Sequence, residues 1–447
     1  MPTLYCANWI LPVTSAAIRD GAITVEGQTI VSVGSREALL RQFPEATIRE
    51  LGDSAIIPGL INAHSHLELT AMRGFLEAED LDFFAWLKKL TVARLERLTP
   101  DDLNVSAAWG ACEAARSGVT FVADASDSAR QSLAAVRDVG LRGIVFQESF
   151  GPDRRLASEN FEKLKEKIAA LRAEETAEVK CGVSPHAPYT VSASQLEMIS
   201  RFSLDEKLPL MMHAAETAME VSFITNGSGP FAEGLKSRGI EWQALEVSPI
   251  QYLNDCGVLH THPLLAHCIQ VDDADIAMLR ETDTRVAHCP KSNAKLGHGI
   301  APFASMLEQG IAVGLGSDSV ASNNNCDLIE EARFALLLAR ANGGSTMGAD
   351  EVLKAATVNA ARAVGLPDQI GELRAGLQAD FAVVSLSGTH QLPIYDPLGA
   401  LIFASSGRDV TMTVVAGKEI YRDGRITTVD EERLRARITE IAEKLKN

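Results

Sequence analysis

The stretch AIIPGLINAHSH, residues 55–66, carries the pattern that decides the fold: an apolar run that ends in two histidines. We assign its first nine residues, 55–63, to a buried strand. Seven more short apolar runs follow along the chain: GVTFVAD (118–124), LRGIVFQE (141–148), VKCGVSP (179–185), LPLMMHA (208–214), PLLAHC (263–268), TRVAHCP (284–290) and IAVGLGSD (311–318). Helical patterns separate these runs, and such alternation predicts a parallel sheet. Eight strands of this kind favour a closed (β/α)₈ barrel of the TIM type.

Outside this alternation, both chain ends have the texture of short strands. The runs are AITVEG (22–27), IVSVG (30–34), DFAVVSL (380–386) and VTMTVVAGKEIYRDGR (410–425). We therefore predict an α/β chain in which residues 1–55 and 376–429 form a small composite β-sandwich domain around a barrel domain of residues 56–375. After them, residues 430–447 space their apolar side chains at i, i+4, i+7 and i+11, which predicts an amphipathic helix.

Composition and charge limit the class of partner. The chain has 447 residues, of which 42 are basic and 59 acidic, for a net charge of −17. Such an acidic body has no basic surplus with which to bind nucleic acid or an anionic membrane. The chain has no apolar run of about 18 residues that would cross a bilayer, and MPTLYCANWILPVTS lacks the cationic start of a signal peptide. We expect a cytoplasmic protein that acts on a small molecule.

The seven cysteines form no CxxC pair, which favours free thiols in a reducing compartment. Cys268 and Cys289 each follow a strand-end histidine. Because adjacent strand residues point to opposite faces, we expect these two thiols to pack against the barrel wall.

The histidines cluster at one kind of position. Six of the ten fall at or just past the carboxyl end of a predicted barrel strand, the edge where such barrels place their active sites: His64, His66, His186, His213, His267 and His288. Asp318 ends the last predicted strand. On an extended strand, residues i and i+2 face the same side, so His64 and His66 can aim at one ion. With His213 and Asp318 they would complete a catalytic site for one divalent metal, Zn²⁺ in the first place and Fe²⁺ as the alternative.

Glu216 lies three residues after His213, in the sequence HAAE. If the strand ends at His213, the Glu216 carboxylate stands at the barrel mouth beside the metal. There it could take a proton from an activated water and pass it to a leaving group or a ring nitrogen.

These residues occur in motifs that together resemble the amidohydrolase superfamily, most of all its branch of deaminases and chlorohydrolases acting on N-heterocycles. The motifs are PGLINAHSH (58–66), SPHAPYT (184–190), HAAE (213–216), LLAHC (264–268), AHCPKSN (287–293) and GLGSDS (314–319). They stand in the order of the family and cover nearly the whole chain. The spacing Asn293-x-x-Leu296-x-x-Gly299-x-x-Pro302 belongs to the same resemblance.

The resemblance implies a role for each site residue. His64, His66, His213 and Asp318 would hold a single metal, since the fourth strand lacks the lysine that bridges two metals in other members. Glu216 would shuttle protons, while His267 and Asp318 would orient the attacking water. His186 matches a position that faces the substrate. The family also leads us to expect a homodimer.

The substrate is less constrained. HSHLELT (64–70), FQESFGP (146–152) and HAAETAMEV (213–221) resemble bacterial deaminases of 6-aminodeoxyfutalosine in menaquinone biosynthesis, and Glu68, Arg73 and Glu148 are then candidate substrate contacts beside His186. In methylthioadenosine and S-adenosylhomocysteine deaminases a first-loop glutamate reads the ribose hydroxyls; Leu95 aligns with it here, with Glu96 next. Deamination of those nucleosides or of adenosine is the alternative. Hydrolysis of a guanine, pterin or triazine, and a non-catalytic metal-binding or scaffold protein, also stay open.

Overall fold

The structure is a computed structural model that describes residues 1–343 and 346–446. Its strands in chain order are β1 (Thr3–Ile10), β2 (Ile18–Glu26), β3 (Thr29–Ser35), β4 (Thr47–Glu50), β5 (Ser54–Pro58), β6 (Leu60–Ser65), β7 (Val119–Ser126), β8 (Arg142–Ser149), β9 (Val179–Pro185), β10 (Met211–Ala214), β11 (Leu264–His267), β12 (Arg285–His288), β13 (Val313–Leu315), β14 (Phe381–Ser385), β15 (Val410–Val415), β16 (Lys418–Arg422) and β17 (Arg425–Ile426).

The α-helices in chain order are α1 (Arg36–Gln42), α2 (Phe83–Arg97), α3 (Pro100–Arg116), α4 (Ala129–Val139), α5 (Ala157–Arg172), α6 (Ala193–Glu206), α7 (Ala218–Asn226), α8 (Pro230–Ser237), α9 (Pro249–Asp255), α10 (Asp273–Glu281), α11 (Pro290–Lys295), α12 (Phe303–Glu308), α13 (Val320–Asn323), α14 (Leu328–Gly343), α15 (Ala349–Ala355), α16 (Val358–Ala363), α17 (Pro397–Gly399) and α18 (Glu431–Lys446). Short 3₁₀ turns span Leu67–Met72, Glu77–Glu79, Arg154–Leu156, Leu259–Thr261 and Gly407–Asp409, and a π turn spans Ala400–Ala404.

Eight parallel strands form the barrel. β6 to β9 make one four-stranded sheet in chain order, and β10 to β13 make another. Parallel bridges from Val183 to Leu210 and from Ser65 to Asp318 join the two sheets at both edges. The sheet therefore closes on itself, and the predicted (β/α)₈ barrel is confirmed.

The chain ends share a second sheet. Its order is β17-β16-β15-β14-β5-β1-β2-β3, with β4 also paired to β1. Both termini therefore contribute to the β domain, as expected. The predicted single strand over 55–63 is instead two strands, because β5 pairs with β1 and β14 in this sheet whereas β6 belongs to the barrel. We propose that the first domain boundary lies after Pro58 rather than at residue 55.

The barrel interior is filled by apolar side chains, so the polar chemistry is confined to the strand ends. Ile61, Phe121, Phe146 and Met211 are among the buried residues of this inner core. At the carboxyl ends, His267 and Asp318 have left-handed backbone angles, with φ of 77° and 55°. Such conformations are strained for residues with a Cβ and mark places where the fold fixes a functional side chain.

The C-terminal helix α18 packs on α3 and buries Ile441 and Leu445. No helix among residues 1–343 and 346–446 is both long and apolar enough to cross a membrane. All seven cysteines are buried and free, Cys268 and Cys289 included.

Candidate active site

Three histidine rings meet at the carboxyl edge of the barrel. The Nε2 atoms of His66 and His213 lie 3.1 Å apart, and the His64 ring is edge-on to both at centroid distances of 4.8 and 4.9 Å. One ligand atom from each of the three residues lies within 4.8 Å of the others. This spacing suits a common cation, because imidazole nitrogens this close together can bind one ion jointly.

The hydrogen bonds of these rings decide which nitrogen faces the centre. His213 Nδ1 donates to the carbonyl of His186 at 2.8 Å, and His64 Nδ1 lies 3.2 Å from the Met211 sulfur. Their Nε2 atoms are then the unprotonated ones, and the buried Nε2 of His64 has no hydrogen-bond partner. Burial lowers the pKa of His64, and it lowers that of His66 to about 3. Neutral imidazoles with an orphaned nitrogen are the form that binds a metal.

Asp318 supplies the carboxylate. Its Oδ1 lies 3.5 Å from His64 Nε2 and 3.6 Å from His66 Nε2. Its Oδ2 accepts hydrogen bonds from Ser292 at 2.6 Å and Ser322 at 3.0 Å, which fixes the orientation of the carboxylate. Burial acts to raise the pKa of Asp318, but the adjacent imidazoles outweigh it and hold that pKa well below its usual range. The group stays ionised, as a metal ligand must be.

Glu216 lies between two imidazoles, those of His267 and His298. Its Oε1 lies 3.7 Å from His267 Nε2 and 3.3 Å from His298 Nδ1. Burial acts to raise the pKa of Glu216, yet these two imidazoles lower it below its ordinary value. His267 is held in turn by a 2.9 Å hydrogen bond from its Nδ1 to Asn293 Oδ1.

A second glutamate fixes the turn that carries Glu216. Glu220 Oε1 accepts from the backbone N–H of Ala215 at 2.8 Å, and its Oε2 accepts from that of Glu216 at 3.0 Å. Ala215 has a positive φ of 51°, a conformation that these two hydrogen bonds hold in place. Burial raises the pKa of Glu220 to about 8.

A cavity of about 580 Å³ opens onto this cluster. It is lined by metal-site side chains, by Glu216 and His267, and by the apolar Leu69, Trp86, Leu87 and Leu90. Glu68, Glu148 and His186, which the sequence analysis proposes as substrate contacts, also line it. Volumes of this size suit a ligand as large as a nucleoside.

Arg73 does not lie in this cavity, although it was predicted beside Glu68. Its guanidinium is paired with Glu113 on α3 and is about one-third exposed. The 3₁₀ turn after His66 carries Arg73 away from the barrel mouth. An arginine of the same region that does line the cavity is Arg94 of α2, whose Nε lies 3.1 Å from Glu68 Oε1 and whose Nη1 lies 3.0 Å from Asp127. His288 also stands apart, stacked on Phe303 at 4.8 Å.

Glu148 lies at the end of β8 with its Oε1 buried and without a hydrogen-bond partner. Burial raises its pKa well above the ordinary value, and the charges of Glu68 and Asp127 add to this effect. A protonated Glu148 would face the cavity as a hydrogen-bond donor.

A second, outer chamber of about 900 Å³ continues the cavity toward solvent. The inner cavity, described first, and this outer chamber share five lining residues: Leu87, Phe150, Tyr189, Thr190 and Arg238. Phe84, Phe231, Leu156 and Lys88 belong to the outer chamber alone. It is therefore an aromatic chamber whose walls also carry two cationic side chains, Lys88 and Arg238, and two acidic ones, Asp153 and Glu233.

Sequence reasoning missed Glu220, His298 and Arg94. Glu220 left a weak signal, since it follows Glu216 by four residues at the start of a helix. His298 and Arg94 left none, because each reaches the site from a loop or a helix distant in sequence.

Comparison with known proteins places the chain among hydrolases. The sequence model of the amidohydrolase family matches residues 55–420. A 5-methylthioadenosine/S-adenosylhomocysteine deaminase of Pelotomaculum thermopropionicum is 33% identical over 435 residues, covering 96% of this chain and 95% of that protein. The enzyme of the same name from Moorella thermoacetica is 32% identical, with 96% of each chain covered.

Solved structures agree with the fold. An adenosine deaminase of Xanthomonas campestris with bound zinc is 27% identical, with a TM-score of 0.87 over 99% of this chain and 98% of that one. Atrazine chlorohydrolase of Arthrobacter aurescens is 22% identical, with a TM-score of 0.86 over 98% of this chain and 100% of the other. At that identity the second likeness shows the fold alone.

Proposed function

The chain belongs to the amidohydrolase family and is a metal-dependent hydrolytic enzyme acting on C–N bonds, and from this premise we propose that it removes the 6-amino group of a 5′-substituted adenine nucleoside as ammonia. The observation that carries the proposal is the ionised, buried Glu216 in the same cavity as the histidine cluster. The deaminase relatives support an adenine-type substrate. We further propose a cytoplasmic homodimer.

Four side chains of this protein would hold one divalent ion, which we propose to be zinc, with iron as the alternative. They are His64, His66, His213 and Asp318, whose ligand atoms and protonation fit such an ion. The ion would supply Lewis acidity, which lowers the pKa of water toward neutrality.

The protein groups then move the proton. Glu216 is ionised and can take a proton from the attacking water, while His267 and Asp318 orient that water. Glu216 delivers the proton to the ring nitrogen beside the attacked carbon, which makes that carbon more electrophilic. A second transfer through the same carboxylate accompanies loss of ammonia, so one residue serves as base and acid in turn.

Replacement of Glu216 tests this proposal. Glu216→Gln keeps the shape of the side chain but removes the base, so we expect turnover to fall by at least about 10³-fold. Ammonia release from adenosine and metal content by mass spectrometry are the two measurements. Metal content should match that of the wild type, because Glu216 is not a ligand. Activity within tenfold of the wild type would contradict the proposed role.

Two substrate assignments compete within the proposed class. The first assignment is 5-methylthioadenosine and S-adenosylhomocysteine, which the curated relatives favour. The second is 6-aminodeoxyfutalosine, which would place the enzyme in menaquinone biosynthesis. What supports the second is Leu95, which stands at the position of the ribose-reading glutamate, lines the inner cavity and is 67% exposed. The aromatic outer chamber with Lys88 and Arg238 suits a benzoate as well as an amino-acid carboxylate.

A substrate panel with an Arg238→Met variant separates these candidates. The panel contains methylthioadenosine, S-adenosylhomocysteine, 6-aminodeoxyfutalosine, adenosine and guanine, and the highest kcat/KM identifies the preferred substrate. Arg238→Met should raise KM about tenfold for the substrates with a carboxylate, the equivalent of ~1.4 kcal/mol. It should leave methylthioadenosine unchanged.

Arg154→Met, which removes an exposed arginine outside both chambers, is the matched control. An equal effect of Arg238→Met on charged and uncharged substrates would remove Arg238 from the substrate site. Turnover of guanine alone would refute the adenine class.

A further inference from the structure

His298 is a buried imidazole that the mechanism above does not use. It lies in the turn between α11 and α12 and is 8% exposed. Its Nδ1 is 3.3 Å from Glu216 Oε1, yet neither ring nitrogen has a partner of full hydrogen-bond geometry. Glu216 lines the inner cavity whereas His298 does not, so the ring approaches the carboxylate from the protein side.

Contacts from three parts of the chain hold His298 in place. Its backbone N–H donates to the carbonyl of Asn293 at 2.9 Å, and its own carbonyl accepts from Gln270 Nε2 at 2.8 Å. The ring of Phe83, at the start of α2, meets the imidazole edge-on at a centroid distance of 4.6 Å. A buried ring fixed so firmly, and aimed at a carboxylate, indicates a role for its Nδ1.

Asn293 connects both imidazoles that flank Glu216. Its side-chain Oδ1 accepts from His267 Nδ1, and its backbone carbonyl accepts from His298 N–H, each at 2.9 Å. Both rings then address the same oxygen, Glu216 Oε1, at 3.7 and 3.3 Å. Because Oε1 faces these two rings, Oε2 is the oxygen left to exchange the proton.

We propose that His298 is a positioning residue for Glu216, donating from Nδ1 to Oε1 so that Oε2 faces the reacting atoms. The inference rests on the proposed role of Glu216 as proton shuttle. His298 touches neither substrate nor metal ligands in this assignment, and its effect passes through the Glu216 carboxylate. Misplacing a reacting group by about 1 Å can cost 10²-fold in rate.

Three replacements of His298 separate a positioning role from a structural one. Asn places its amide N–H where Nδ1 lies, Gln places it where Nε2 lies, and Phe fills the space against Phe83 without any donor. We expect kcat for adenosine to fall about 10- to 100-fold in His298→Phe and His298→Gln, with KM within about twofold. His298→Asn should recover most of the wild-type kcat. His288→Phe, a second buried histidine stacked on a phenylalanine ring, is the control and should keep kcat.

A double variant tests whether His298 acts through Glu216. In the Glu216→Gln background, His298→Phe should cause no further loss of the residual rate, because the carboxylate it positions is gone. A full additional loss there, or an unchanged kcat in His298→Phe alone, would overturn the inference. If His298→Phe fails to fold, equal kcat values for His298→Asn and His298→Gln would overturn the inference.

Failure of this inference about His298 can be distinguished from failure of the proposed function. Wild-type protein that releases no ammonia from any adenine nucleoside refutes the proposed function. Wild-type activity that depends on Glu216 but is indifferent to His298 refutes only the further inference.

Discussion

At the residue scale, burial sets the protonation states that the chemistry needs. It lowers the pKa values of the metal-site imidazoles and raises that of the Glu148 carboxyl, whose acidic neighbours add to the effect. Glu216 and Asp318 escape this rise only because imidazoles flank them. The buried mouth of the barrel therefore holds neutral imidazoles, the ionised carboxylates of Glu216 and Asp318, and the protonated carboxyl of Glu148 close together.

Glu331 of α14 offers a test of this effect away from the site. It is fully buried, its Oε2 accepts from the Lys291 backbone N–H at 3.3 Å, and burial raises its pKa to about 8. The folded protein therefore binds this proton more tightly than the unfolded chain, whose glutamates titrate near about 4.3. The stability that this proton contributes is complete below that value and is lost as pH rises toward 8.

Glu331→Gln should remove this loss. As pH rises from 5 to 8, the wild type should lose stability that the variant keeps. The free energy of unfolding of the variant should therefore increase relative to that of the wild type by up to about 1.4 kcal/mol per pH unit. Urea unfolding at several pH values measures it. Glu330→Gln is the control, since its carboxylate pairs with Lys291 Nζ at 2.7 Å and its pKa is lowered, so its pH effect falls below pH 5. Parallel wild-type and Glu331→Gln curves would contradict the prediction.

At the element scale, single contacts decide where the elements end. The run 55–63 has no polar residue before Asn62, yet it breaks at Gly59 because the chain passes there from the β domain into the barrel. A Cβ at Gly59 would lie 2.0 Å from Thr120 Oγ1, so only glycine fits this approach. Hydrophobic periodicity cannot show such a break, since both strands are buried on both faces.

The long connection between β10 and β11 is built from α7, α8 and α9. Trp242 joins them, stacking on Phe223 at 4.3 Å and donating from Nε1 to its carbonyl at 2.8 Å. Phe231 of α8 stacks on Tyr189 at 3.9 Å, and both line the outer chamber. The connection thus forms a wall of the proposed substrate site.

At the scale of the whole molecule, a buried ion pair joins the barrel to the β domain. Arg142 of β8 donates from Nε to Asp380 Oδ2 at 2.8 Å, and Asp380 Oδ1 also accepts from the Ala416 backbone N–H at 2.7 Å. Both side chains are over nine-tenths buried. Removal of one charge leaves the other buried without a charged partner, a change that typically costs about 3–5 kcal/mol.

Asp380→Asn should therefore lower the free energy of unfolding by about 3 kcal/mol. Adding Arg142→Met to it should recover part of the loss, because no unpaired charge then remains. Asp138→Asn, which breaks the exposed pair of Asp138 with Arg137, should change stability by less than about 1 kcal/mol. If Asp380→Asn and Asp138→Asn are equally mild in urea unfolding, the buried pair does not join the two parts as argued.

The sequence by itself determined the barrel, the shared β domain and the family. These follow from local patterns: apolar runs of strand length, helical periodicity between them, and chemical residues at each strand end. The sequence predicts that six residues lie together, because parallel strands bring their carboxyl ends to one edge, whatever the details of packing: His64, His66, His213, Glu216, His267 and Asp318.

Only the tertiary structure decided the surroundings of those residues. Arg73 and Arg94 are both arginines of the first loop region, and nothing local distinguishes the one that turns away to Glu113 from the one that reaches Glu68. His298 meets Glu216 across 82 positions of sequence, through contacts with α2 and Asn293. Such contacts depend on loop paths and side-chain packing, which are set by the whole fold and not by the period of any one segment.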